Sequence, residues 1–152
     1  MPRKSAGLLC YRFVVNELQI LLLHPGGPFW QKKDPGAWSI PKGEFDDTEI
    51  PLEAAKREAF EETGTHFEGT FIELSPVKQK SGKHVFAWAL ECDIDAAAIK
   101  SNMFEMEWPP HSGKKTQFPE IDKAAWFTID EAKRKIIEGQ KPLIDELIEK
   151  LQ

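Results

Sequence analysis

The chain has 152 residues, 41% of them hydrophobic and 30% charged, which suits one soluble folded unit spanning residues 1–152. A net charge of −5 argues against the broad basic face that long nucleic acids require, yet leaves room for a small phosphorylated ligand held by a few lysines and a cation. No signal segment is read at the start, the longest apolar run (Ile20 to Leu23) is too short for a bilayer, and Cys10 and Cys92 read as buried free thiols, so a cytoplasmic protein without membrane association is expected.

In chain order, Ser5 to Val15 reads as a first strand and Leu18 to Leu23 as a second, apolar enough to be buried on both faces. His24 to Gly36 is punctuated by Pro25-Gly26-Gly27-Pro28 and Pro35-Gly36, so a loop is expected. That loop carries Phe29, Trp30, Lys32 and Lys33, and it is a candidate substrate-facing element. Pro51 suits the first helical position and Gly64 the residue just past the end, which predicts a helix over Pro51 to Thr63. Ile50 offers no capping oxygen, so Thr48 or Asp47 is expected to serve. Thr70 to Leu74 and Val85 to Cys92 read as strands, the second central in the sheet. Met103 to Pro119, broken by Trp108-Pro109-Pro110 and Ser112-Gly113, reads as irregular. Ala124 to Phe127 is a short last strand, and Thr128 with Glu131 forms a capping box opening a helix to about Ile137. Gly139 ends it. Pro142 starts another helix, with Leu143, Ile144, Leu147, Ile148 and Leu151 at helical spacing. Strands interleaved with helices in this way imply an α/β architecture, with a mixed sheet between helical layers.

The chemistry concentrates on the first helix. Glu58, Glu61 and Glu62 fall at i, i+3 and i+4, so three carboxylates crowd one face. Arg57, four residues before Glu61, relieves part of that charge. The remainder suits a hard divalent cation, since oxygen-only ligands favour Mg²⁺ or Mn²⁺. Leu52, Ala55 and Ala59 are expected to pack the opposite face on the sheet.

The segment Gly43 to Thr65 resembles the Nudix box, Gly-x5-Glu-x7-Arg-Glu-U-x-Glu-Glu-x-Gly-U, where U is usually aliphatic. Gly43, Glu49, Arg57, Glu58, Glu61, Glu62 and Gly64 supply every fixed letter, while Ala59 and Thr65 occupy the two U positions. The lead-in Trp38 to Glu44 is also similar to the family's. The resemblance implies a Nudix-type α/β/α sandwich and a Mg²⁺- or Mn²⁺-dependent pyrophosphohydrolase. Glu58, Glu61 and Glu62, with the Gly43 carbonyl, are the implied metal ligands, and Arg57 and Glu49 the groups that orient them. The resemblance implies a general base that is either a glutamate of the box, such as Glu58 or Glu61, or an acid from a loop beyond the sheet, where Glu120 is favoured, with Asp122 beside it and Glu105 and Glu107 as weaker competitors. Lys42 is a candidate phosphate contact. Phe29, Trp30, Trp108 and His84 are candidates for stacking on or guiding a base. Lys80, with Lys78, Lys83, Lys114 and Lys115, is a candidate cationic rim.

The implied substrate is a small nucleotide: a nucleoside diphosphate joined to another group, with a lean towards nucleoside or diadenosine polyphosphates. Alternatives are oxidised nucleoside triphosphates and ADP-ribose. Lys80 stands where ADP-ribose hydrolases of the family carry proline. The sole tyrosine, Tyr11, is not where many dinucleoside polyphosphate hydrolases place theirs. The rival from another class is a nucleotide-binding regulator that keeps the fold without turnover. A monomer or homodimer is expected.

Overall fold

The computed structural model describes residues 3–152. Its main sheet is mixed and seven-stranded, and β1 (Lys4–Val14) organises it. Along one edge β1 pairs in parallel with β6 (His84–Glu91). Along the other it changes partner. Tyr11 to Val14 pair antiparallel with β2 (Glu17–Pro25), whereas Ser5 to Gly7 pair with β3 (Lys42–Glu44). Between these two partners the Leu8 amide donates to the Pro41 carbonyl at 3.0 Å, and Ser39 bridges to Leu23. Strand β2 continues outward to pair with β9 (Ile121–Thr128), and β6 carries β4 (Ile72–Glu73) and β5 (Val77–Lys78) on its far side. As expected, β6 lies inside the sheet.

Each face of the sheet is covered by helix. On one, α1 (Pro51–Thr63) lays Ala54, Ala55 and Ala59 against Ala6, Leu8, Cys10, Leu21 and Leu23. Small side chains let the helix come close, and Ala54 takes the fully buried place expected for Leu52, which stays partly exposed. On the other face, α2 (Ile129–Lys135) and α3 (Lys141–Lys150) bury Ala132, Leu143, Ile144 and Leu147 against Leu9, Ile20 and Leu22. The expected sandwich of helix, mixed sheet and helix is what forms.

Helix signals behave as their chemistry predicts, with two corrections. The capping box at Thr128 and Glu131 is present, and Gly64, with φ of 76°, closes α1 by donating to the Phe60 carbonyl at 2.7 Å. No side chain caps the start of α1. Thr48 turns back to Asp46 and Asp47 pairs with Lys4, so neither expected substitute reaches the helix. Helix α2 stops at Lys135, capped at Ile136, so Gly139 does not end it and lies instead in a 3-10 turn over Glu138–Gln140.

Two strand readings also change. Met103 to Pro119 is a hairpin of β7 (Met103–Glu107) and β8 (Lys115–Pro119), forming a separate two-stranded sheet. Its breakers, Trp108-Pro109-Pro110 and Ser112-Gly113, make only the turn. There the Glu107 carboxylate accepts from the His111 and Gly113 amides at 3.0 and 3.2 Å. The last strand starts at Ile121 rather than Ala124, because an edge strand tolerates Asp122 and Lys123. Cys10 and Cys92 are free, as expected, but only Cys10 is buried, Cys92 being partly exposed past the end of β6. Among the described residues no helix is long and apolar enough to cross a membrane.

Candidate active site

The acidic face of α1 is ordered by Arg57. Its guanidinium forms a two-pronged pair with Glu49, Nε and Nη2 each 2.7 Å from a carboxylate oxygen. The third nitrogen, Nη1, donates to Glu58 at 2.9 Å and Glu61 at 3.1 Å. Bidentate geometry of this kind fixes orientation as well as charge. The hydrogen bonds from Arg57 hold the Glu49 carboxyl below its ordinary range. Gly43 explains its own identity here, because a Cβ at that position would stand 1.8 Å from Glu58 Oε2. The glycine leaves the space into which the Glu58 carboxylate fits, beside the residue 43 backbone.

Glu62 points inward from the same helix and accepts the Lys42 amide hydrogen at 3.0 Å. Burial pushes its carboxyl up to about 7, opposed by the Lys42 ammonium and amide and reinforced by Glu120 and Glu58. Burial also raises Glu58, with Glu61 adding to the rise against Arg57. Glu120 is raised by burial and then by the charge of Glu61. Three acidic groups are thus each held uncomfortably as anions, first by burial and then by neighbouring carboxylates, Glu61 acting on Glu58 and Glu120, and these two on Glu62. Among the described residues, no three acidic, His or Cys side chains yet stand close enough to hold an ion; Arg57 spans Glu58 and Glu61 instead. The donor set nonetheless fits a hard divalent cation: oxygen ligands only, excess negative charge, and a glycine carbonyl at Gly43 beside Glu58.

A cleft opens beside these carboxylates, where the chain between β2 and β3 spreads the sheet. Its deeper part, about 190 Å³, is lined by Leu23, Trp30, Lys42, Glu62, Glu120 and Ile121 among others. An adjoining lobe of about 420 Å³ is walled by Pro25 to Trp30 on one side and by Phe104 and Met106 of β7 on the other. Trp30 and Glu120 border both parts. Close packing holds the wall together. A Cβ on Gly27, whose φ is +95°, would come within 2.8 Å of the Phe104 ring.

The structure therefore brings Lys42, Glu58, Glu61, Glu62, Arg57, Glu120 and Trp30 to one region. Trp108 stands a step back, at the hairpin turn, edge-on to Phe29 with ring centroids 5.6 Å apart. Lys80 and His84 are not brought to the cleft. Lys80 is exposed in the turn between β5 and β6, and the His84 backbone pairs with Lys4 and Lys78. From that turn it is Lys83 that folds inward. Its side chain is 14% exposed, 3.8 Å from Glu44. Burial lowers its pKa, and the neighbouring Lys42 and Arg3 lower it further against Glu44. Glu105 and Glu107 face solvent, and Asp122 is engaged by His24, so of these four acids outside the helix it is Glu120 that borders the cleft, facing Glu62 of the helix. Phe104 and Met106 were hidden within a segment read as irregular. Their alternation with exposed Glu105 and Glu107 is the period-two signal that finds them.

The NUDIX domain model matches residues 2–147. No curated protein matches the chain by sequence. Among solved structures, the fold is similar to a C. elegans Ap4A hydrolase in a binary complex, with a TM-score of 0.69 and 23% identity, covering 98% of this chain and 97% of that one. It is similar also to the NUDIX domain of Shewanella oneidensis NrtR complexed with ADP ribose (TM-score 0.69, 15% identity, 100% and 90% covered). A NUDIX hydrolase from Nitrosomonas europaea gives a TM-score of 0.59 at 20% identity, covering 98% and 87%. At these identities the likenesses speak to the fold. The domain match over nearly the whole length, on a chain that carries every fixed letter of the box, shows that the chain belongs to the Nudix family and is a Nudix pyrophosphohydrolase.

Proposed function

We propose that this enzyme hydrolyses a phosphoanhydride bond in a nucleoside or dinucleoside polyphosphate, with Mg²⁺ or Mn²⁺ held by Glu58, Glu61, Glu62 and the Gly43 carbonyl. One observation carries the reading: the cleft is graded along its length. Lys42 stands at one end with the carboxylates of Glu62 and Glu120 beside it, and an apolar wall of Trp30, Phe104 and Met106 forms the other end. A ligand with a polyanionic chain and a flat, poorly solvated ring matches that order. A sugar or inositol phosphate has nothing to place against the apolar wall.

When bound, a cation would lower the pKa of a coordinated water and neutralise charge on the bridging and leaving oxygens. The chain's own residues do the rest. Arg57 and Glu49 hold Glu58 and Glu61 in place. Lys42 binds a phosphate oxygen, while its amide fixes Glu62. Glu120, raised by burial and bordering both parts of the cleft, takes the proton from the attacking water. Trp30 and the hairpin side chains hold the base and keep water from it.

The test is a substrate panel of diadenosine tetraphosphate, ordinary and oxidised nucleoside triphosphates, and ADP-ribose, each assayed with Mg²⁺ and with chelator. Metal-dependent release of products from the polyphosphates is expected, faster than from ADP-ribose. A preference for ADP-ribose would overturn the substrate assignment, and metal-independent turnover would overturn the ligand assignment.

A further inference from the structure

His24, near the end of β2, is completely buried. Each of its ring nitrogens meets an oxygen. Nδ1 lies 2.8 Å from Asp122 Oδ1, and Nε2 lies 2.6 Å from the Lys33 carbonyl. A carbonyl or an ionised carboxylate can only accept, whereas a neutral imidazole has one N–H to give. With a single proton, one of these two short contacts would set lone pair against lone pair. Both are satisfied when the ring carries two N–H groups and Asp122 serves as counter-ion. The edge of Trp38 closes another side, with ring centroids 5.1 Å apart. The remaining charges nearby are Lys123 over Trp38, and the Asp34–Lys135 pair bonded to the Trp38 indole.

What the ring joins is more informative than its charge. The Lys33 amide donates to the Trp30 carbonyl at 2.9 Å, and the Lys33 ammonium lies 5.0 Å from the centre of the Trp30 ring. Lys33 therefore closes the turn that presents Trp30. Asp122 sits two residues beyond Glu120, and the Glu120 carbonyl accepts from Gly26 at 2.8 Å. Trp30 and Glu120 both border the cleft. A single buried ring thus ties its tryptophan side to its carboxylate side.

We propose that His24, doubly protonated and paired with Asp122, is a positioning residue that fixes the Trp30 turn relative to Glu120 across the cleft. The proposal rests on the reading of that cleft as the substrate site. Buried ion pairs are seldom retained for stability, since well-packed apolar residues replace them at little cost. Their use here is to specify one geometry through two charge-assisted hydrogen bonds.

Two kinds of measurement test this on the full chain. Nitrogen-15 NMR of the wild-type histidine rings at neutral pH is expected to show both His24 nitrogens protonated; a single protonated tautomer would overturn the proposal. In Asp122→Asn, hydrogen exchange at the Trp30 and Lys33 amides is expected to quicken by about tenfold or more while the amides of α1 are unchanged. In the same variant KM should rise roughly tenfold and kcat should fall as well, because Trp30 and Glu120 are both held through this brace, while Mg²⁺ affinity stays at the wild-type value because the acidic helix is untouched. Unchanged exchange with unchanged KM would overturn the brace while leaving the substrate reading intact. The NMR and exchange measurements need no turnover, so they stand even if the proposed substrates fail. Should the variant not fold, the wild-type nitrogen spectrum decides alone.

Discussion

The acidic helix and the apolar wall of the cleft are neighbours in space and opposites in origin. Every hydrogen bond that Arg57 makes reaches a residue one, four or eight positions away. The wall gathers Pro25 to Trp30, Phe104, Met106 and Glu120, which come together only after β9 has paired with β2 and the hairpin has folded over the Gly26-Gly27 turn. The helix is written locally, in the period of α-structure. The wall is written by topology. A cation site can therefore be recognised from spacing, while the part of the molecule that selects the substrate's ring cannot.

Substitutions sharpen that contrast. Glu61→Gln should have the largest effect, lowering kcat by on the order of 10²–10³-fold or more with little change in melting temperature, since Glu61 is partly exposed on the helix. Wild-type turnover in that variant would remove Glu61 from the metal shell. A pH effect comes next. Glu62 is pushed up to about 7 from an ordinary value of 4.5, so between those values the folded chain binds more protons than the unfolded one. Stability of the metal-free protein should therefore fall as pH rises through that window, by at most about 3 kcal/mol. Thermal melts across the window, with and without saturating Mg²⁺, check this. The metal should abolish the fall, and a pH-independent melt of the metal-free protein would refute the buried, uncomfortable anion. Gly43→Ala should weaken Mg²⁺ binding by roughly 10–100-fold, because the new methyl takes the place of the Glu58 carboxylate. Calorimetric titration reads it. Met106→Ala, on the far wall, should raise KM for a nucleotide by about tenfold while leaving metal affinity alone. If Met106→Ala instead alters metal binding, the two regions are not separable.

The sequence makes the helix legible almost to the residue, since Pro51, Gly64 and the Thr128 capping box act through contacts within a turn. The sandwich was legible too, from strand and helix periods. The hairpin was not. Pro109, Pro110 and Gly113 crowd its turn, and their signal masks the alternation of Phe104 and Met106 on either side. Among the lysines, Lys83 comes inward and Lys80 does not. Spacing offered no way to choose, because side-chain direction in a tight turn depends on the turn's own geometry. Glu107 shows the same limit from the other side: an acid that looked available for chemistry spends its oxygens holding two backbone amides.

The divided loyalty of β1 governs when this site can exist at all. Its hydrogen-bond partners come from residues 17–20, 42–44 and 84–91, and the last of these pairs in parallel, the slowest kind of contact to close. During synthesis, the box helix is complete in sequence long before the strand that finishes its platform has left the ribosome. Until β6 arrives, Ala54, Ala55 and Ala59 have only part of a surface to lie on, and until the hairpin and β9 follow, three glutamates project from a helix with no cleft beside it. A fragment ending before residue 84 would carry every letter of the box and still lack an enzyme.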